Sequence, residues 1–202
     1  MIYQNDKLRI VPFERGKHMT KEYRSWFNDP EVTKYNSHGL FPYSPGAMDA
    51  FVKTIEQGSD SKIVWAIEVS NKEEHEAWKN AVQIAIPEPP QWIHIGNCSL
   101  DRINWINRSA ELTIVLGKER GKGFGMQACE WMLEHAFLKL NLHRVWTGTA
   151  ARNIGMRRVC EKLGMRHEGN FIDGMFLDGA YVNVIAYGIL NDMQNTIIEE
   201  AK

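Results

Sequence analysis

Net charge is nearly absent from this chain: 24 Lys and Arg against 25 Asp and Glu leave −1 over 202 residues. Without a global basic field, neither a nucleic-acid partner nor an anionic membrane surface has electrostatic support. Cysteine is scarce as well. Cys98, Cys129 and Cys160 are widely spaced, odd in number and form no C-x-x-C pair. That pattern argues against a disulfide framework and a zinc site, and the three read as reduced thiols of a cytoplasmic protein. No apolar run approaches the roughly 18 residues of a membrane span, and the opening "MIYQNDKLRIVPF" is too polar for a signal peptide. Repeats and low-complexity tracts are missing too. What remains is a composition of 44% hydrophobic and 24% charged residues, globular in character and long enough to bury a core without staples. The length fits one domain over 1–202. Seven tryptophans are more than usual; they fill a core or line a cleft.

Periodicity divides the chain into alternating elements. "DKLRIVPF" (6–13) alternates as a strand. In "MTKEYRSWFNDPEV", Tyr23, Trp26 and Phe27 share a helical face, which Asn28-Asp29-Pro30 ends. A loop carrying Tyr35, His38, Phe41 and Tyr43 leads to a second helix over about 45–57, with Met48, Phe51, Val52 and Ile55 on one side. "KIVWAIEV" (62–69) reads as a buried strand. Residues 70–92, polar and then proline-rich, read as an insertion between two strands. A hairpin follows, turning at Ile106-Asn107-Arg108. Then come an amphipathic helix marked by Met126, Cys129, Met132, Leu133, Ala136, Phe137 and Leu140, a strand over 143–149, and a short helix with Gly164 as its C-cap. Two last strands are joined at Asp178-Gly179, a strong hairpin signal. The order β-α-α-β-β-β-α-β-α-β-β predicts an α/β fold with a mixed sheet (α+β in its pairing).

The stretch "GKERGKGFGMQA" (117–128) carries the chemistry. Alternating glycines at 121, 123 and 125 bring backbone N–H groups close to a ligand, and the following helix adds its positive N-terminal end. Arg120 and Lys122 add charge, so the loop has the makings of a pyrophosphate cradle. It does not fit a P-loop, which needs a glycine where Leu116 stands and Ser or Thr where Gly123 stands. It does not fit a dinucleotide fingerprint either, since the third glycine comes one position early and the preceding strands form a hairpin.

Arg120, Gly123 and Gly125 do fit the pattern Arg/Gln-x-x-Gly-x-Gly/Ala. In this the sequence resembles the GCN5-related N-acetyltransferases. "RSAELTIVLGKERGKGFGMQA", "NLHRVWTGTAARNIGMRRVCEKLGM" and "EGNFIDGMFLDGAYVNVIAYGIL" succeed one another in that family's order and spacing. "YRSWFNDPEVTKY" resembles the first helix of the branch with ribosomal-protein, polyamine and amino-sugar acetyltransferases. The resemblance implies a central, mostly antiparallel sheet that splays between two parallel strands and is flanked by helices. It implies acetyl-CoA as co-substrate, its pantetheine arm paired with backbone groups of Ile114, Val115 and Leu116. Its pyrophosphate would be held at Gly121, Lys122, Gly123, Phe124, Gly125 and Met126, beside Arg120.

For the chemistry, a primary amine near pKa 10 must lose a proton before it attacks a thioester. Glu111, in "SAEL", stands where relatives place a glutamate base; a solvated strand carboxylate is the other reading, and Asp101 is a second candidate. Asn153 matches the asparagine that opens the second cofactor helix, and it also suits a helix N-cap. The tyrosine or serine that many relatives use to protonate the thiolate is missing, with Cys160 and Met156 in those places; Cys160 reads as core. Trp26, Tyr35 and His38 are candidates for acceptor contacts, with core packing the alternative for the aromatics. Three acceptors compete: an amino sugar, toward which the aromatic loop leans; a polyamine, disfavoured by the mixed charges of the first-helix region; and a protein N-terminus. A non-catalytic CoA-binding module is the alternative from another class. No metal is implied.

Overall fold

The computed structural model describes residues 1–36, 40, 42–80 and 91–191. Its centre is one eight-stranded sheet in the order β1-β2-β3-β4-β5-β6-β8-β7. The strands are β1 (Tyr3–Gln4), β2 (Leu8–Pro12), β3 (Ile63–Ser70), β4 (Trp92–Asn104), β5 (Ser109–Leu116), β6 (Arg144–Ala150), β7 (Arg166–Leu177) and β8 (Ala180–Leu190). Every neighbouring pair is antiparallel except β5 with β6. The expected mixed sheet is therefore present.

The helices that precede β3 are short and defined by their caps. α1 (Arg15–His18), absent from the sequence reading, is followed by α2 (Lys21–Trp26), which Thr20 caps by accepting the Tyr23 N–H at 3.0 Å. α3 (Pro30–Thr33) has Pro30 in its first turn and Asp29 as its cap. α4 (Pro45–Glu56) repeats the device with Ser44 and Pro45. In α2, α3 and α4 a side-chain oxygen satisfies an otherwise orphaned N–H, α1 having no such cap, and the prolines that open α3 and α4 lose nothing there. α5 (Lys72–Asn80) stands in the expected 70–92 insertion, whose last residue, Trp92, already belongs to β4; residues 81–90 lie outside the described ones.

α6 (Phe124–Glu134) and α7 (Ile154–Lys162) follow β5 and β6. The periodic stretch expected to run on as one helix changes to a π-turn over His135–Lys139. Two hydrophobic layers form because strand residues alternate between faces. Leu8 and Ile10 of β2 and Trp65 and Ile67 of β3 pack with Ala128, Cys129 and Met132 of α6. Val11, Phe13 and Ala66, on the opposite face, pack with Tyr23, Trp26, Met48 and Val52. The hairpin between β7 and β8 turns where the sequence placed it, with Asp178 and Gly179 both at positive φ (49° and 80°), as a type I′ turn requires.

Candidate active site

β5 and β6 run together for three residues only: Ser109 beside Arg144, Ala110 beside Val145 and Glu111 beside Trp146. Beyond that point β5 continues to Leu116 and β6 to Ala150 with no pairing between them. A wedge-shaped gap opens in the sheet. Pairing parity shows which backbone groups face it. Gly117 N–H donates to Ile95 C=O on the β4 side, and Arg144 N–H donates to Arg108 C=O on the β6 side. With a two-residue period, Val115 turns its backbone to β4, whereas Ile114 and Leu116 turn theirs into the gap. Of the three strand residues expected to pair with a pantetheine arm, two have that orientation.

The gap belongs to a cavity of about 1270 Å³, enough for an extended ligand rather than a compact one. Ile114, Val115, Leu116, Arg120, Gly121, Gly123, Gly125, Met126 and Asn153 all line it; Lys122 and Phe124 do not. Phe124 packs against the core instead. The loop before α6 is held open by left-handed residues: Glu119 (φ 58°), Gly121 (77°) and Gly123 (89°), the last being the helix N-cap. Amides at such a helix start form an anion cradle.

Arg120 and Lys122 both have partners within the protein. Arg120 spends its guanidinium on carbonyls: Nε to Leu116 at 3.0 Å, Nη1 to Glu31 at 2.8 Å and Nη2 to Gly117 at 3.4 Å. It ties the loop to the end of β5 and to α3. Lys122 pairs with Glu119 at 2.6 Å. An anion at this helix start would meet backbone N–H groups, with Arg120 bracing the loop.

Asn153 does what a cap does, its Oδ1 accepting the Met156 N–H at 3.2 Å while its Nδ2 donates to Thr149 Oγ1 at 3.1 Å. From β6 and α7 the cavity also draws Gly148, Met156, Arg158 and Lys162, none of which the sequence singled out as a contact.

The other half of the cavity is a polar wall on β4 and β5. Asp101 and Glu111 stand directly opposite each other in register. Ser99 Oγ and Thr113 Oγ1 both donate to Asp101 Oδ2, at 2.8 and 3.0 Å. The ammonium of Lys62 lies 2.9 Å from Asp101 Oδ1, and Arg102 Nη1 lies 3.3 Å from Glu111 Oε2. Burial pushes the Glu111 carboxyl above its ordinary range; Arg102 opposes that rise and Asp101 adds to it. A carboxylate facing a cleft with a raised pKa is suited to accept a proton.

The acceptor candidates divide. Tyr35 lines the cavity. Trp26 does not: it is 5% exposed within the core layer that holds Tyr23 and Phe27. Its indole lies so close to Gly117 that a Cβ there would come within 2.0 Å of the ring. His38 and Phe41 lie outside the described residues. Cys160 is fully buried beside Met165 and Tyr187, and burial raises its thiol to about 11. It is a core residue, as the sequence suggested.

A splayed parallel pair, an amide cradle at the next helix and a carboxylate wall meet in one cavity, and the match to known proteins agrees with them. A family model described as the acetyltransferase (GNAT) domain matches residues 7–166. The chain belongs to the GNAT acetyltransferase family. A spermidine N(1)-acetyltransferase of Vibrio cholerae is 34% identical to it over 58% of this chain and 66% of its own. A putative ribosomal N-acetyltransferase, YdaF of Bacillus subtilis, is 34% identical over 47% of this chain and 52% of its own. These alignments thus span about two thirds and about half of the relatives' lengths. Among solved structures, the Vibrio cholerae spermidine N-acetyltransferase in complex with CoA and spermine superposes with a TM-score of 0.72. It is 24% identical and covers 92% of this chain and 96% of that one. The two chains thus share the fold. Among the described residues no helix is long and apolar enough to cross a membrane.

Proposed function

We propose that this chain transfers the acetyl group of acetyl-CoA to a primary amine of a small aliphatic polyamine. One observation carries the reading: the gap between β5 and β6 opens beside Glu111, whose register partner is a second carboxylate, Asp101. A thioester arm lying against β5 would meet an amine held at this wall. Glu111, with its pKa raised, accepts the amine proton directly or through water. The Ile114 N–H, turned into the gap, is placed to stabilise the oxyanion that forms as nitrogen attacks the thioester carbon. The CoA thiolate then leaves, and a thiol of ordinary pKa near 8.5 departs without a dedicated acid. That suits a site in which the family's tyrosine position on α7 is taken by buried Cys160 and its serine position by Met156.

The acceptor differs from the amino sugar toward which the sequence leans. Relatives named as spermidine acetyltransferases favour a polyamine. The mixed charges of the first helices argued against one, but the acids that matter here stand on β4 and β5.

The test is release of free CoA thiol by the purified protein from acetyl-CoA, with spermidine, a nucleotide-linked amino sugar and a short N-terminal peptide offered separately. Spermidine should give the largest kcat/KM. Turnover confined to the peptide or the sugar would replace the acceptor. Binding of acetyl-CoA with no turnover of any amine would leave a CoA-binding module.

A further inference from the structure

We propose that Lys62 sets acceptor selectivity by filling, with its own ammonium, the position that the second ammonium of a diamine would take. This rests on the amine-acetyltransferase reading. The geometry of Asp101 is the starting point. Two hydroxyl donors, Ser99 and Thr113, converge on Oδ2, which leaves Oδ1 as the oxygen available to a cation. Lys62 Nζ lies 2.9 Å from it as an ion pair, without the alignment of a hydrogen bond, so that this buried oxygen has no hydrogen-bond donor among the described residues. The same ammonium lies 5.6 Å from the centroid of the Phe51 ring. A carboxylate oxygen on one side and an aromatic face on the other is a chemistry that suits an alkylammonium. Lys62, Phe51 and Asp101 all line the cavity that holds Glu111.

The root of Lys62 is held in place. Ile103 N–H donates to Ser61 C=O at 2.9 Å, and Ile63 is in register with Leu100. The side chain thus leans over Asp101 from a fixed strand end and has a short reach to make. An acceptor with one amine meets Glu111 without disturbing this pair. An acceptor with a second ammonium must displace Lys62 to gain Asp101, or leave its own second charge unpaired. Lys62 is therefore a specificity-determining residue that narrows, without abolishing, the advantage of a polyamine over a monoamine, and it has no part in the proton transfer.

The experiment compares the parent, Lys62→Met and Lys62→Arg with 1,4-diaminobutane and butylamine. It uses thiol release and, separately, calorimetric binding of each amine to the CoA-loaded protein. In Lys62→Met the KM and Kd for diaminobutane should fall about tenfold relative to butylamine, the scale of one charge-assisted contact, with kcat little changed. Lys62→Arg, which keeps the cation, should keep the parental ratio. Adding Asp101→Asn to Lys62→Met should remove the gain. An unchanged diamine-to-monoamine ratio in folded Lys62→Met overturns the proposal, as does an equal gain for both amines. If no amine is acetylated by any of the proteins, the acetyltransferase reading fails, and the calorimetric ratio still decides the role of Lys62.

Discussion

Replacing His94 by glutamine should remove a large part of the acid sensitivity of this fold. His94 stands on β4 among the rings of Phe13, His18, Tyr23 and Trp26, with centroids 5.0–6.1 Å away. Its Nε2–H donates to the Gly96 carbonyl and to Asn97 Oδ1, both at 2.9 Å, while Nδ1 is buried without a hydrogen-bond partner among the described residues. Burial lowers its pKa to about 4; His18 contributes in the same direction, while the contacts to Asn97 and Gly96 and the charge of Glu68 oppose it. In the unfolded chain the value returns to about 6.5. Between these values the unfolded chain binds a proton that the folded chain refuses. The stability is therefore complete above pH 6.5 and is lost as pH falls toward 4. A gap of about 2.5 units corresponds to roughly 3 kcal/mol, or about 10 °C in Tm for a chain of this length. Urea unfolding followed by tryptophan fluorescence, at steps from pH 7 to pH 4, measures it. The parent should lose about 3 kcal/mol more than His94→Gln across this window, because glutamine keeps an N–H donor but does not titrate. Parallel pH curves for the two proteins would show that His94 does not set the acid sensitivity.

Other perturbations have equally definite outcomes. Glu68 is 1% exposed and ringed by Arg9, Lys17 and His18. Burial alone would raise its pKa, yet these three partners outweigh burial and hold it at about 2. Glu68→Gln should cost about 3 kcal/mol in urea at pH 7. The parent should lose this contribution only as pH falls from about 4.5 toward 2, below the His94 window. Gly117→Ala should lower stability by about 1–3 kcal/mol through overpacking against Trp26, and should weaken acetyl-CoA binding measured by calorimetry, because the strained residue opens the cofactor loop. Cys160→Ala should leave the rate of acetyl transfer unchanged; intact-protein mass spectrometry during turnover should show no acetyl group at position 160 of the parent.

Local chemistry made much of this fold legible. Asp178-Gly179 admits the two positive φ values of a type I′ turn, so the last hairpin could be placed from two residues. The glycines at 121 and 123 marked a turn, and both adopt the left-handed backbone that few other residues take. The heptad-like spacing from Met126 located α6, but periodicity does not distinguish a π-turn from an α-turn, so the change at His135 was invisible. α1 has only four residues, too few to establish a period.

Side-chain roles were harder to read, since they depend on register and on distant partners. Trp26 has the same composition signal whether it lines a cleft or covers a glycine, and only its approach to Gly117 decides. The partners of Arg120, the carbonyls of Leu116, Gly117 and Glu31, carry no sequence signature, so its bracing of the loop could not be read. The meeting of Asp101, Glu111, Lys62 and Arg102 is set by pairing between β3, β4 and β5. No window of sequence displays it, which is why the acidic wall was sought in the first helices instead.

Glu111, beside the splay of β5 and β6, is proposed to take the proton from an amine as it attacks acetyl-CoA. The most direct measurement is kcat against pH for spermidine acetylation by the parent and by Glu111→Gln, at saturating acetyl-CoA, with acetyl-CoA binding measured alongside. The parent's rate should rise with pH through a group above the ordinary carboxylate range. Glu111→Gln should lose that rise and about a hundredfold in kcat, with its affinity for acetyl-CoA unchanged. An undiminished kcat in Glu111→Gln, with the same pH profile, would contradict the account.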